Sequence, residues 1–312
     1  DNTVIRPMSP HNESLWNCEV PQDEKYKKLY GNYSYEEMNE LWLAKLNEVV
    51  EAHCPDYIWF DFGQRFIQEK YRQQFLANYF NKAAELGKEV AVNTKQTYFF
   101  PKEVAMVNVE LATMAEMRDE VWITDFILGS YWSYNKNHRT AMDPGFAIRL
   151  LADVVSKNGV MLLCAGPKPD GTFPEEQVET MKEIGAWLKR YGEAIYRTRP
   201  FTVYGEGPTH FTPDKEYGAT MKGLDRLHEA DIRYTRKDNV VYAIQLGWCD
   251  GETGKTLAAF ADDKGLKVQS VTVLGSDEKI DWKQTATGLE VNQPEQKPAK
   301  ADMAMVYKII LQ

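Results

Sequence analysis

This chain of 312 residues has four cysteines, five histidines and no long apolar run. Cys18, Cys54, Cys164 and Cys249 lie far apart, with no C-x-x-C pair. That spacing argues against structural zinc and against a dense disulfide framework, so free thiols are expected. No stretch approaches the roughly 20 apolar residues of a membrane-crossing helix, and no charged-then-apolar leader opens the sequence. Basic residues are in deficit: 37 Lys and Arg against 46 Asp and Glu leave a formal charge of −9, with no Lys/Arg cluster. That balance argues against a nucleic-acid or anionic-membrane partner. The sequence opens at Asp1 rather than Met, which leads us to expect that an upstream piece has been removed. Sequons at Asn12 and Asn32 arise too readily by chance to indicate secretion.

The composition that remains is that of a folded protein. Hydrophobic residues make up 43%, enough for a sizeable core, and the length accommodates two domains. Aromatics reach 12%, with eight Trp and seventeen Tyr. Such rings suit stacking on sugars, although core packing accounts for most individual ones.

Residues 1–33 are polar and proline-containing and read as a loop. Ser34 with Glu37 forms a capping box ahead of the apolar stripe Met38, Leu41, Trp42, Leu46, Val49 and Val50, which predicts a helix. A strand is predicted over 57–61, a helix over 66–86 closed by Gly87, and a short strand over 89–93. The stretch to about residue 120 reads as irregular. Beyond it the pattern gives a strand over 121–124, a helix over 143–157, a strand over 160–164 and a helix over 175–191. That last helix is begun by Pro174 and ended by Gly192. Alternating strands and helices signal βαβ units and a parallel sheet. After Pro200 the runs become short and alternating, as in 240–246 and 305–311, which predicts a small antiparallel β-sandwich. The expected domains are therefore 1–200 and 201–312.

Two segments carry chemistry. The run Pro55-Asp56-Tyr57-Ile58-Trp59-Phe60-Asp61-Phe62-Gly63 reads as a buried strand that delivers a carboxylate at its end. In (β/α) barrels that end of the strands is where active sites are built. An acid after a strand more often caps a turn or helix, so Asp61 alone decides little. About a hundred residues on comes Ser156-Lys157-Asn158-Gly159-Val160-Met161-Leu162-Leu163-Cys164-Ala165-Gly166-Pro167, continuing to Asp170-Gly171.

Together these segments resemble the α-L-fucosidases of glycoside hydrolase family 29. That family carries a Trp-x-Asp-Gly-like strand end and a Ser-Lys-Asn-Gly-Asn-Leu-Leu-Leu-Asn-Ile-Gly-Pro-x-x-Asp-Gly strand and loop. Its following helix ends in Gly-Glu-Ala-Ile-Tyr, matched here by Gly192-Glu193-Ala194-Ile195-Tyr196. The resemblance continues through Glu206-Gly207-Pro208-Thr209 and Asp231-Ile232-Arg233-Tyr234-Thr235. It implies a (β/α)8-like (TIM) barrel followed by a C-terminal antiparallel β-sandwich. It also implies a retaining exo-glycosidase that releases α-L-fucose from fucosylated oligosaccharides or glycoconjugates. Such chemistry uses two carboxylates, about 5–5.5 Å apart, and needs neither metal nor organic cofactor.

By resemblance Asp61 is the nucleophile. Many family members take the acid/base from a Trp-Glu pair, but the matching place here is Trp122-Ile123, and isoleucine cannot carry a proton. Another branch uses Glu-Arg-Gly, which lines up with Glu110-Leu111-Ala112, so Glu110 is the candidate and Asp125 the alternative. Trp132-Ser133-Tyr134-Asn135 resembles the family's Trp-Gly-Tyr-Asn, whose aromatic ring packs on fucose. Trp59, Trp122, Trp132 and Tyr134 are expected around the strand ends as substrate-binding residues, and Lys95 falls where the family places a basic residue near the sugar.

One departure is large. The family's barrel opens with His-Trp-Gly and His-His-Asp-Gly motifs, whereas His11, His53, His138, His210 and His228 fall in no such motif. About five of the eight strands of a closed barrel are legible here. The expectation is an N-terminally incomplete barrel, completed by an upstream segment or by an oligomer. Two rival readings follow: a catalytically incomplete glycan-binding or scaffold chain, and a retaining hydrolase of another deoxy sugar. Glycan-degrading enzymes are usually exported, so the resemblance also implies a periplasmic or secreted protein.

Overall fold

The computed structural model describes residues 23, 25, 33–61, 64–95, 99–101, 103–137 and 140–312. The predicted loop over 1–33 lies almost wholly outside these residues, as do Cys18, Asn12 and Asn32. Cys54 and Cys249 are buried, unbridged thiols. The chain forms two compact units, divided between Ala105 and Met106.

In the first unit, helix α1 spans Tyr35–His53. Ser34 Oγ accepts from the Glu37 amide, and the Glu37 carboxylate accepts from the Ser34 amide at 2.8 Å, the reciprocal cap that the sequence predicts. Strand β1 covers Tyr57–Ile58, helix α2 covers Glu69–Glu85 and strand β2 covers Ala91–Lys95. β1 pairs in parallel with β2, Tyr57 opposite Ala91. Gly87, at φ +64°, closes α2: its amide reaches the Ala84 carbonyl and that of Lys88 reaches Ala83. Val50, Phe75, Tyr79, Ala83, Val92 and Phe100 form the core between these helices and strands.

Strand β3 (Ala105–Glu110), all but its first residue in the second unit, and β4 (Thr113–Met114) lie in a stretch that the sequence pattern reads as irregular. Asn108 hides β3, because a fully buried amide sits in the middle of an otherwise apolar run. Strand β5 (Trp122–Ile127), helix α3 (Pro144–Ser156), strand β6 (Gly159–Cys164) and helix α4 (Glu175–Tyr191) follow. β3, β5 and β6 are parallel, with Glu110 opposite Asp125 and Ile127 opposite Cys164. α3 starts where Asp143 accepts from the Phe146 amide at 2.7 Å, with Pro144 in its first turn. α4 starts after Pro174, but Gly192 has φ −63° and continues into a tighter turn over Gly192–Ala194 instead of closing the helix left-handed. Two parallel strands in the first unit and three in the second, alternating with helices, are part of a (β/α)8-like barrel.

The remaining strands are β7 (Arg199–Glu206), β8 (Ala219–Thr220), β9 (Ile232–Lys237), β10 (Val240–Gln245), β11 (Gly254–Leu257), β12 (Val268–Val273), β13 (Trp282–Thr285), β14 (Gly288–Asn292) and β15 (Met305–Leu311). They give an antiparallel sheet in the order β12-β15-β10-β9-β7 and a second in the order β11-β14-β13, the predicted sandwich. Phe201, Tyr234, Phe260, Leu289 and Tyr307 fill the space between them. A second core joins this sandwich to the barrel strands through Val107, Trp122, Ile148, Trp187, Ile244 and Val306. β4 turns aside from the parallel sheet and pairs with β8.

At this junction lies a fully buried carboxylate, Asp153 on α3. One oxygen accepts from Lys157 Nζ at 2.9 Å and from Thr113 Oγ1 at 2.8 Å; the other accepts from Arg233 Nε at 2.6 Å. Lys157 Nζ also donates to the Met114 carbonyl at 2.9 Å. Burial alone would push the Asp153 carboxyl upward, but Lys157 and Arg233 outweigh it and hold the group below its ordinary range. Burial pushes Lys157 down, against the pull of Asp153. Asp153→Asn leaves two cations without their anion, and we expect it to cost about 3–5 kcal/mol in guanidinium unfolding. The stability that the paired carboxylate contributes should be complete above an unfolded-chain pKa of about 4 and disappear as pH falls through the depressed folded value. The variant should lose that acid limb.

Candidate active site

Asp61 leaves the sheet beyond β1, whose backbone pairing stops at Ile58 rather than at residue 61 as the sequence pattern predicts. A side chain continues the ladder. Asn93 of β2 is fully buried; its oxygen accepts from the Phe60 amide at 2.6 Å and its Nδ2 donates to the Phe60 carbonyl at 2.8 Å. The residue before Asp61 is thus held on both of its backbone polar groups, which fixes where the carboxylate emerges. Lys95, two residues after Asn93, donates from Nζ to Asp61 Oδ1 at 2.8 Å. Its ammonium also sits 5.1 Å from the centre of the Trp59 ring. The lysine side chain is 2% exposed and the aspartate side chain 50% exposed. The cation therefore approaches from the protein side and leaves the carboxylate facing solvent. Asp61, Lys95 and Trp59 form one cluster within the first unit.

In the second unit Glu110 ends β3, half-buried, directly opposite Asp125 on β5. Leu111 follows at φ +52°, a left-handed conformation that costs a branched residue on the order of 1–3 kcal/mol; its amide donates to the Asp125 carbonyl at 2.9 Å. Asp125 does not end its strand, because β5 runs on to Ile127. Its carboxylate is buried and accepts from Asn108 Nδ2 at 2.6 Å. Of the two acids, Glu110 has the greater access to solvent, and Asp125 organises the hydrogen bonds between neighbouring strands.

Trp122 is placed otherwise than the sequence pattern suggests. It begins β5 instead of ending it, is fully buried, and donates from its indole to the Lys157 carbonyl at 2.9 Å. It is a core residue at the far end of the strand, against which Gly159 packs with no room for a side chain. Trp132 and Tyr134 lie on the segment that leaves the carboxyl end of β5, the tryptophan exposed and the tyrosine half-buried. Asn93 and Asn108 escape sequence reasoning: Asn93 reads as the mere end of the 89–93 strand, and Asn108, a buried amide inside an apolar run, looks like an interruption of one. Among the described residues no group of three or more His, Cys, Asp or Glu could hold a metal ion. We expect Asn93→Ala to strand two buried polar groups at a cost of about 1–3 kcal/mol. It should also speed hydrogen exchange at the Phe60 amide well beyond that of the α2 amides.

The family described as Alpha-L-fucosidase matches residues 7–193, and the one described as Alpha-L-fucosidase C-terminal domain matches residues 225–312. The tissue alpha-L-fucosidase of Rattus norvegicus is 25% identical over 249 residues, 78% of this chain and 48% of that protein. That of Bos taurus is 24% identical over 295 residues, covering 88% and 54%. Among solved structures, one named alpha-L-fucosidase superposes with a TM-score of 0.69 at 24% identity, covering 94% of this chain and 60% of that one. The alpha-fucosidase of Thermotoga maritima in complex with fucose superposes with a TM-score of 0.66 at 23% identity, covering 94% and 60%. These superpositions bear on the fold: a barrel followed by a β-sandwich. The chain spans about half to three-fifths of the length of these relatives.

Proposed function

The chain belongs to the α-L-fucosidase family, and we propose that it carries the nucleophile half of a retaining exo-glycosidase that releases α-L-fucose from fucosylated glycans. The observation that carries this reading is a strand-end carboxylate, Asp61, held against a buried lysine in a chain of that family. In the first step Asp61 attacks the anomeric carbon and forms a glycosyl ester, while an acid protonates the departing glycosidic oxygen. In the second step the same group, now a base, takes a proton from water, which attacks the anomeric carbon and returns Asp61 to its carboxylate. Lys95 holds Oδ1 from behind, so Oδ2 is the attacking oxygen. Its fixed positive charge favours return of the carboxylate when the ester breaks. Glu110 is the proton donor in this reading, on account of its exposure, and Asp125 is the alternative. Substrate-stacking roles fall to Trp59, Trp132 and Tyr134.

The proposal extends to what completes the barrel. Among the described residues β6 pairs on one edge only, with β5, and Val160 and Leu162 stand exposed on one of its faces. An open edge beside bare aliphatic side chains is what further barrel strands cover, here from an upstream segment or a second copy. We place the catalytic portion in residues 1–200 and the protein outside the cytoplasm, periplasmic or secreted. The lack of the family's histidine motifs favours a second reading for the chain by itself: glycan binding without turnover.

Hydrolysis of a nitrophenyl α-L-fucoside by the 312-residue chain separates the two readings, and an intact mass of the native protein tests for the covering segment. Where there is turnover, Asp61→Gly should abolish it for every leaving group. Glu110→Ala should cut turnover of natural glycosides by about 10²–10⁴-fold and spare good aryl leaving groups, with azide rescuing the variant. Selective loss in Asp125→Ala instead would transfer the role to Asp125. An active chain whose Asp61→Gly variant keeps its rate would overturn the reading.

A further inference from the structure

Inside the sandwich three buried polar side chains converge on one turn. Gln245 ends β10 opposite Met305 of β15, and Tyr307 stands two residues further along β15. By the two-residue period of a strand, Gln245 faces the same way as Val241 and Ala243, into the core that holds Met305 and Tyr307. Diagonal neighbours on one face lie about 7–8 Å apart, within reach of long side chains. Gln293 comes from the other sheet, directly after β14, and its backbone amide donates to the Thr253 carbonyl at 2.9 Å. Gln245 and Tyr307 are fully buried, and Gln293 is 9% exposed.

Both glutamine amides have a fixed orientation. Gln245 Nε2 donates to the Gly247 carbonyl at 3.0 Å and to Cys249 Sγ at 3.3 Å. Gln293 Nε2 donates to the carbonyls of Cys249 at 3.0 Å and Glu252 at 3.3 Å. Turning either amide over would set oxygen against carbonyl oxygen, so each Oε1 points away from those carbonyls. Among the described residues none donates to Gln245 Oε1 or Gln293 Oε1, and none accepts from the Tyr307 hydroxyl. Tyr307 stays a donor, because burial, together with Glu252 and Cys249, pushes its phenol up. Those two residues belong to the turn that the glutamines grip, which brings the three unused groups to one place.

Two acceptors and one donor are what a single water molecule satisfies, since it has two protons to give and lone pairs to receive one. Internal waters make about three such bonds to groups that the protein leaves over. A cation suits the place badly. It would ask for about six oxygens, whereas these side chains offer three neutral ones, and Lys255 already stands 3.5 Å from the Glu252 carboxylate at the turn.

We infer that one water molecule is bound between the sheets of the sandwich, donating to Gln245 Oε1 and Gln293 Oε1 and accepting from the Tyr307 hydroxyl. It ties the end of β14 to β10 and β15 where apolar packing gives way to the turn. The site belongs to the sandwich alone and is independent of the fucoside chemistry.

Guanidinium unfolding of the full chain and of its Tyr307→Phe variant gives the first readout. A hydroxyl bonded to a held water is missed when removed, so the unfolding constant of the variant should rise about three- to tenfold. A buried hydroxyl without a partner is better absent, so a variant as stable as the parent, or more stable, overturns the site. Crystals of the parent chain give the second readout and need no variant to fold. One isolated density peak should lie about 2.6–3.2 Å from all three atoms. Absence of that peak overturns the water, and so does a peak at about 2.0–2.6 Å with five or six oxygen ligands, which marks a metal ion.

Discussion

One buried anion shared by two cations sets what the rest of the larger unit can do. Asp153 receives Thr113 from the strand that leaves the parallel sheet, Lys157 from its own helix and Arg233 from the sandwich. Removing Asp153 leaves two buried cations without their counter-charge, and removing a partner takes away one of the bonds that replace water, so helix, ribbon and sandwich are held in a single mutual arrangement. The apolar core at the junction would tolerate small slips; the charges do not. The Lys-Asn-Gly sequence that signals the family sits on this hub: Lys157 in the charge cluster, Asn158 on the Asp119 carbonyl, Gly159 under the Trp122 ring.

A second theme is the use of buried side-chain amides where backbone pairing runs out. Asn93 completes the ladder for Phe60, Asn108 bonds Asp125 across neighbouring strands, and Gln177 lies between two loop backbones. Each amide offers both donors and an acceptor within a few ångströms, which lets it copy the edge of a strand. Strand ends in a barrel need this help, because the chain must leave the sheet there while the functional side chains stay fixed.

Most of the secondary structure was legible in the sequence because it follows local chemistry. The Ser34–Glu37 box, the Gly87 closure and the Pro174 start each occur where the residues dictate. β3 was not legible, because Asn108 breaks the apolar run and its justification, the Asp125 carboxylate, lies 17 residues away. β1 was overextended for the opposite reason: Trp59 and Phe60 favour a strand, and the strand-like bonds of Phe60 go to a side chain. Among the site residues, Asp61 and Lys95 come together as a pair, while Trp122 was misplaced to the wrong end of β5. Composition marks a tryptophan as a sugar platform or as core; only its position along the strand distinguishes the two.

The hub also governs the order of events during synthesis. Asp153 and Lys157 emerge from the ribosome on one helix, but Arg233 follows 80 residues behind Asp153. At translation speeds of about 5–20 residues per second, the helix waits roughly 4–16 s for the arginine that takes up the second oxygen of its buried carboxylate. Until then one carboxylate oxygen on that helix face is left to water. Final packing of β3, β5 and β6 is therefore expected to come with the sandwich rather than ahead of it.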